Sequence, residues 1–426
     1  MDKLAILGGD KLVNIPFPHF EWPPVLKNEI DAVVKYMENP KIGKLGIPEI
    51  VEHFEDEFKR YHNTEYALAL NSGTSALHAA YYALGIGSDD EVIVPNFTFP
   101  ATALPLFPLG AIPVLCDCIK ENANIDPLEI EKKISLKTKA IAVTHLWGHP
   151  CDMEEIMNIS KKYNIPVIED CAHSHGAKYN GKLVGTFGSI GCFSLDNQKL
   201  MASGEAGIMI TNSRYLFEKA IIFSDFGGRV KNQLTIDEFK LFDETGLGLK
   251  YRIHPLAAVI ANEKLKNLDK MNEERVSTLD YFSERLNETE SVNPPVTKEN
   301  TLRGGYYGYK AIYKSDKLRA MGIEKFIRIL QAEGVDVRKT VTPPLHRTKL
   351  FSNSRNYKIS VNGQYSGESF TLKPEDFPVS EWFQKNHLSF PTFSYRENKK
   401  IIDLYISAIK KVEDCILANT QIIEKI

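Results

Sequence analysis

Lys199 is embedded in Phe193-Ser194-Leu195-Asp196-Asn197-Gln198-Lys199-Leu200-Met201-Ala202-Ser203-Gly204-Glu205-Ala206-Gly207, after one apolar run and before a glycine-containing turn into another. Withdrawn from water there, its amine would lose proton affinity and become nucleophilic. A solvated loop lysine, which most lysines are, would have neither property. Asp170 closes the apolar run Ile165–Asp170, at the carboxyl edge of a sheet where α/β proteins bind ligands. A carboxylate there can hold a cationic heterocyclic nitrogen, or simply end a strand with its polar groups satisfied. His173 and His175 follow at i,i+2 and would share a face of an extended run. No third ligand stands at a recognisable spacing, so no metal is expected.

Two more segments add to this chemistry. Asn71-Ser72-Gly73-Thr74-Ser75-Ala76 follows the strand-like Ala67–Leu70 and opens a helical pattern. Free N–H groups at a helix start, with the hydroxyls of Ser72, Thr74 and Ser75, form an anion site. The same residues also suit an ordinary capped turn. Phe97-Thr98-Phe99-Pro100 follows the run Glu91–Pro95, and an aromatic there can cover a planar ligand or pack in the core. A phosphate cradle, an aromatic cover, an acid for a ring nitrogen and a lysine for an aldehyde are together the parts that bind pyridoxal phosphate.

The elements that must position these residues are legible as a rhythm. Strand-like runs at Tyr66–Leu70, Glu91–Pro95, Ile112–Asp117, Lys139–His145, Ile165–Asp170, Ile190–Leu195 and Ala206–Thr211 alternate, in the earlier part, with helical patterns at Ser75–Leu84, Pro127–Ile134 and Met153–Tyr163. Continuous apolar strands with intervening helices imply βαβ units and a mostly parallel sheet covered on both faces. Past residue 215 the texture changes: 228–246 is polar, Asn262 to Leu286 is a charged helical pattern that could bridge two domains, and 300–426 mixes strands with helices. The expected division is a proline-rich arm over 1–25, a large cofactor-binding α/β domain over 26–265 and a smaller α+β domain over 266–426.

Composition sets outer bounds. The chain has 426 residues, 43% hydrophobic and 25% charged, enough for a sizeable core. Its 52 Lys and Arg against 55 Asp and Glu give a net charge of −3, without the basic excess of a nucleic-acid binder. The six cysteines form no CxxC pair, as expected of buried thiols in a reducing compartment. Met1 to Leu7 is too short an apolar run for a signal peptide, and the stretch from Phe97 to Cys116 is broken by four prolines. A cytoplasmic protein without membrane or nucleic-acid partners is expected. A Rossmann dehydrogenase is set aside because no GxGxxG follows a first strand.

The sequence closely resembles the DegT/DnrJ/EryC1/StrS family of sugar aminotransferases, which have the fold type I architecture of aspartate aminotransferase. The resemblance is carried from about residue 1 to 415 by ordered motifs: Asn71-Ser72-Gly73-Thr74-Ser75-Ala76, Val94-Pro95 with Phe97-Thr98-Phe99, Gly110-Ala111 through Pro113-Val114 to Asp117, Asn124-Ile125-Asp126-Pro127, Glu169-Asp170, the Phe193-to-Gly207 run, and Tyr251-Arg252 with Ala257-Ala258.

By position, the resemblance implies that Lys199 holds the cofactor's aldehyde and carries protons, that Asp170 pairs with the pyridinium nitrogen and that His173 lies beside the ring. Phe99 would stack on the ring, while Ser72, Gly73, Thr74 and Ser194 would form the phosphate site. In the family an Asn from the neighbouring subunit reaches that phosphate; the matching position here is Lys250, which keeps a cation near an anion. The family further implies a homodimer with shared active sites, L-glutamate or L-glutamine as amino donor, and a keto sugar, cyclitol or small keto phosphate as acceptor. Arg229 and Arg252 are the candidates for the donor's carboxylate. Related sugar dehydratases replace the lysine with His, so Lys199 argues against that activity; a non-catalytic regulator on the same fold is the other alternative.

Overall fold

The computed structural model describes residues 3–19, 22–340, 342–360 and 369–418. Met1, Asp2, Phe20 and Glu21 of the expected arm, and Val341, 361–368 and 419–426 of the expected C-terminal domain, lie outside the described residues.

The strands are β1 (Tyr66–Leu70), β2 (Glu91–Pro95), β3 (Ile112–Cys116), β4 (Thr138–Thr144), β5 (Val167–Asp170), β6 (Lys178–Tyr179), β7 (Lys182–Leu183), β8 (Ile190–Ser194), β9 (Gly207–Thr211), β10 (Val292–Asn293), β11 (Thr301–Leu302), β12 (Tyr309–Tyr313) and β13 (His387–Phe390). The α-helices are α1 (Lys27–Glu38), α2 (Glu49–His62), α3 (Gly73–Ala83), α4 (Pro127–Lys133), α5 (Met153–Tyr163), α6 (Arg214–Ser224), α7 (Gly228–Gln233), α8 (Pro255–Leu286), α9 (Ile323–Ala332), α10 (Ser354–Ser360), α11 (Pro378–Asn386) and α12 (Lys399–Ala418).

A central sheet has the order β1-β9-β8-β5-β4-β2-β3. Its neighbours pair in parallel from β3 through β2, β4 and β5 to β8, and only β9 runs against its neighbours β8 and β1. Successive side chains alternate between two buried faces, as a covered parallel sheet requires. On β2, Val92 and Val94 join the core under α3 and α6, while Ile93 joins Ile141, Met153 and Ile156 on the other side. On β9, Met209 faces the first core, and Ile208 and Ile210 pack with Phe54 and Phe58 of α2.

Local chemistry starts the helices. Ser72 caps α3 by accepting from the Ser75 N–H at 3.0 Å, and Asp126 caps α4 by accepting from Leu128 N–H at 2.9 Å with Pro127 in the first turn. The buried side of α3 is rich in alanine (Ala76, Ala79, Ala80, Ala83), which lets the helix lie close on β8 and β9.

A second sheet, β10-β12-β13, is antiparallel and packs with α9 and α12 around Phe282, Tyr309, Phe326, Phe390 and Tyr405. Helix α8 belongs to both cores. Ala257, Ala258, Ala261, Leu265 and Leu268 pack on the α2 side, and Leu279, Phe282 and Leu286 pack in the second core. The described arm is docked at its start: Leu4 and Val13 are buried in the second core, and Ala5 N–H donates to Glu333 Oε1 at 2.8 Å. Among the described residues no helix is long and apolar enough to cross a membrane.

Candidate active site

The carboxyl ends of β2, β4, β5 and β8, the start of α3 and the β12 side of the second sheet surround a cavity of about 940 Å³. Because β9 is reversed, its beginning opens onto the same side. The segment from Leu195 to Ala206 is therefore a closed loop, joined at its base by Leu195 N–H to Ala206 O at 2.8 Å.

Lys199 lies on that loop, within turns formed by Lys199 N–H to Asp196 O (2.9 Å) and Ala202 N–H to Lys199 O (3.1 Å). Its Nζ is 4.1 Å from the centre of the Tyr307 ring. Burial pushes the amine down to about 8, and the negative charges of Asp170 and Asp196 pull the other way.

Asp170 ends β5 and is buried. Thr102 Oγ1 donates to its Oδ2 at 2.7 Å and Ala172 N–H to its Oδ1 at 3.1 Å. Burial raises its proton affinity, against those two hydrogen bonds and the Lys199 charge. The preceding residue, Glu169, points to the opposite face of the strand. It accepts from the N–H groups of Gly185, Phe187 and Gly188, each at 2.7 Å, and meets His145 Nε2 at 3.1 Å. His145, Glu169 and Cys171 lie close enough to hold a cation. The Glu169 oxygens are already committed, and His145 Nδ1 accepts from Cys151 N–H at 3.0 Å, so this group reads as a structural hydrogen-bond node.

His173 and His175 occupy tight turns and share no face, because the chain leaves β5 without continuing extended. His173 faces the cavity, stacked on Tyr307 at 4.0 Å and 12°, whereas His175 lies against Phe193. Burial and the nearby Lys199 keep His173 well below its ordinary value, hence neutral. Trp147 N–H donates to its Nδ1 at 3.4 Å, which leaves the ring proton on Nε2.

At the start of α3 the first-turn amides have no upstream helical carbonyl, and Ser72, Gly73 and Thr74 line the cavity. A Cβ on Gly73 would stand 2.6 Å from Ser194 Cβ, and one on Gly207 2.3 Å from the Ser72 carbonyl carbon. Glycine is needed at both because β8, β9 and the helix start approach within backbone contact. Phe99 lines the cavity and is 59% exposed.

Ser72, Gly73, Thr74, Phe99, Asp170, His173, Ser194 and Lys199 thus meet in one cavity. Lys250 does not line it; it is exposed, with its ammonium 5.9 Å from the Phe226 ring centre. The two arginines expected for a carboxylate also lie elsewhere. Arg229 is buried and pairs with Glu55 at 2.9 Å and Asp225 at 3.5 Å, and Arg252 pairs with Asp225 at 3.5 Å. Those buried acids need cations, and the two arginines answer them.

Several residues in and behind the cavity wall were not anticipated. Thr102, buried behind the wall, orients Asp170. Tyr307 comes from Gly304-Gly305-Tyr306-Tyr307-Gly308, a glycine-aromatic run that signals close backbone approach; a Cβ on Gly308 would lie 2.8 Å from Trp147 Cδ1. Lys310 donates to Ser389 Oγ at 2.6 Å, and burial pushes its amine down to about 8. Arg275 emerges from the charged pattern of α8, where nothing in the spacing marks it.

The donor set fits pyridoxal phosphate. A helix start with a glycine that a Cβ would block suits the phosphate, the buried Asp170 carboxylate suits a cationic ring nitrogen, and a half-buried amine of lowered proton affinity suits an aldehyde.

Comparison with known proteins gives the same direction. A sequence model of the DegT/DnrJ/EryC1/StrS aminotransferase family matches residues 25–405. GDP-perosamine synthase of Escherichia coli O157:H7 is 36% identical over 265 residues, 62% of this chain and 70% of that protein. L-glutamine:scyllo-inosose aminotransferase of Streptomyces griseus is 28% identical over 418 residues, 97% of this chain and 98% of that one. The crystal structure of the aminotransferase from Psychrobacter cryohalolentis superposes with a TM-score of 0.80 at 28% identity, over 94% of this chain and all of that one.

Proposed function

The chain belongs to the DegT/DnrJ/EryC1/StrS aminotransferase family, and from that premise we propose that it moves an amino group from L-glutamine or L-glutamate to a keto sugar, cyclitol or small keto phosphate, in amino-sugar, surface-polysaccharide or aminocyclitol biosynthesis. It is a pyridoxal-phosphate-dependent enzyme that takes an amino donor and a keto acceptor. The observation that carries the proposal is a half-buried Lys199 amine, pushed down to about 8, in one cavity with the buried Asp170.

When bound, pyridoxal phosphate supplies an electron sink for the carbon that exchanges its amino group. Gly73, Thr74 and Ser194, with Ser72 as the helix cap, would hold its phosphate. Asp170, oriented by Thr102, would keep a proton on the ring nitrogen. His173, neutral and protonated on Nε2, would donate beside the ring, and Phe99 would cover it. Lys199 Nζ would take the proton from the amino-bearing carbon of the donor and deliver it, across the nitrogen, to the cofactor carbon that had carried the aldehyde; an amine near 8 takes and gives protons readily close to neutrality. In the second half the same groups act in reverse on the ketone. Phe99, a cavity residue left 59% exposed, supports a site completed by a second copy of the chain, with that copy's Lys250 near the phosphate. A lysine at 199, rather than the histidine of related dehydratases, supports transamination over dehydration.

The test is an absorbance titration of the cofactor-loaded protein with L-glutamine and L-glutamate separately. Conversion to the pyridoxamine form with either supports the proposal and identifies the donor. Loaded protein that stays unchanged with both overturns it.

A further inference from the structure

Arg275 is an unmatched charge in the cavity wall. It is 2% exposed, lies on α8 and lines the cavity. Of its donors, only Nη2 has an acceptor among the described residues, the hydroxyl of Thr392. Nε and Nη1 are buried with no partner among the described residues, and the guanidinium lies 3.8 Å from the centre of the Trp22 ring. Arg229 is answered by Glu55 and Asp225, and Lys264 by Glu29 at 2.9 Å; Arg303, buried without an acid, donates instead to Thr297 Oγ1 at 2.9 Å and to Val296 O at 2.6 Å. Arg275 has no acid as partner among the described residues, and burial pushes its proton affinity down to about 9. A guanidinium out of water without an anion is costly, so the wall is built for an anion that arrives from outside.

The shape of the group narrows that anion. Thr392 takes one Nη2 proton. Whichever it takes, the other Nη2 proton still pairs with a neighbouring N–H, so one two-proton edge stays intact. That edge matches a planar carboxylate. Position narrows it further. Tyr307, whose ring centre is 4.1 Å from Lys199 Nζ, is also within electrostatic reach of Arg275. An amino acid carries its carboxylate on the carbon whose proton Lys199 must reach, whereas the reacting carbon of a sugar or cyclitol carries no anion.

Resting on the transamination reading, we propose that Arg275 binds the α-carboxylate of the amino donor, held flat by Trp22 and tethered by Thr392. Arg229 and Arg252 are thereby released from that role.

The test compares L-glutamine with its α-carboxamide as donors for wild type, Arg275→Met and Arg275→Lys. A charge-assisted pair lost from a buried site lowers kcat/KM for L-glutamine roughly 10- to 100-fold in Arg275→Met. The α-carboxamide is nearly unaffected, so the preference for the carboxylate collapses, and Arg275→Lys restores part of it. The acceptor KM of the amine-loaded enzyme stays at the wild-type value. A destabilised protein would lower both donors alike and keep the ratio, which overturns the assignment, as does an acceptor KM that rises in place of the donor's. Calorimetric binding of glutarate separates the two readings. Binding lost in Arg275→Met, with no amine transfer by wild type, keeps the carboxylate site and sinks transamination. Active wild type with unchanged glutarate binding in both variants sinks the Arg275 assignment alone.

Discussion

Thr102 Oγ1 donates to Asp170 Oδ2 at 2.7 Å, across 68 residues of sequence, and the same hydroxyl lies 2.9 Å from Thr98 Oγ1 and 3.2 Å from Thr144 Oγ1. Thr144 at the end of β4, with Thr98 and Thr102 from the segment that follows β2, thus fixes the direction of a buried carboxylate. A charge preorganised in this way acts without rearranging during reaction.

Asp170→Asn should therefore lower the single-turnover rate with L-glutamine by roughly two to three orders of magnitude, the loss of one preorganised charge. Thr102→Val keeps the volume and removes only the donor, for a loss of about tenfold. A wild-type rate in Asp170→Asn would remove Asp170 from the reaction.

Lys199→Ala should end turnover while circular dichroism and quaternary state are unchanged. Residual transamination at the wild-type rate would mean that another amine does the work.

Lys199 also weakens the cofactor-free fold. Its native value is lowered to about 8 from an ordinary 10.5. Between these values the unfolded chain holds a proton that the native one lacks, so stability rises with pH across that window and carries a constant penalty below about 8. The penalty is on the order of 3 kcal/mol. Lys199→Met should raise the urea midpoint of cofactor-free protein at pH 7 and flatten the rise between 8 and 10.5. A midpoint unchanged at both ends of the window would show that the amine is hydrated.

Gly73→Ala drives a Cβ to 2.6 Å from Ser194 Cβ. Overpacking there should cost roughly 1–3 kcal/mol of stability and weaken cofactor retention in equilibrium dialysis. Retention equal to wild type would place the phosphate away from the start of α3.

Arg229→Met strands Glu55, whose Oε1 also accepts from Ala69 N–H at 2.6 Å. The expected loss is about 3–5 kcal/mol in urea unfolding, with an unchanged donor KM in the fraction that folds. A raised donor KM at full stability would return this arginine to the substrate.

Much of this site was legible because its residues stand at ends of apolar runs. Asp170 closes β5, Ser194 closes β8 and Ser72 follows β1, so sheet logic alone draws them together. Strand limits moved by one or two residues, as at Val167–Asp170 in place of 165–170, since Ile165 and Pro166 complete the turn from α5. The reversal of β9 was not legible, because composition carries no strand direction. His173 and His175 were expected to share a face only if the chain stayed extended; the turn after Cys171 prevents it. Tyr307, Lys310 and Arg275 come from elements a hundred or more residues from Asp170 in sequence, and side-chain identity without fold gives no sign of their convergence. In α8, Arg275 reads as one more solvent-facing charge until packing buries it.

The reversed strand also governs how far Lys199 can travel. Had β9 been parallel to β8, the chain after Ser194 would have crossed the sheet through a helix before returning. The antiparallel pairing instead clamps both ends of a short segment side by side, with Leu195 bonded to Ala206 and to Ser203. In the proposed reaction the amine would leave one carbon of the cofactor and later return to that same carbon, and the segment that carries it is moored at both ends. The amine's excursion is the swing of four methylenes rather than the drift of a loop, and recapture after each turnover starts from within arm's reach.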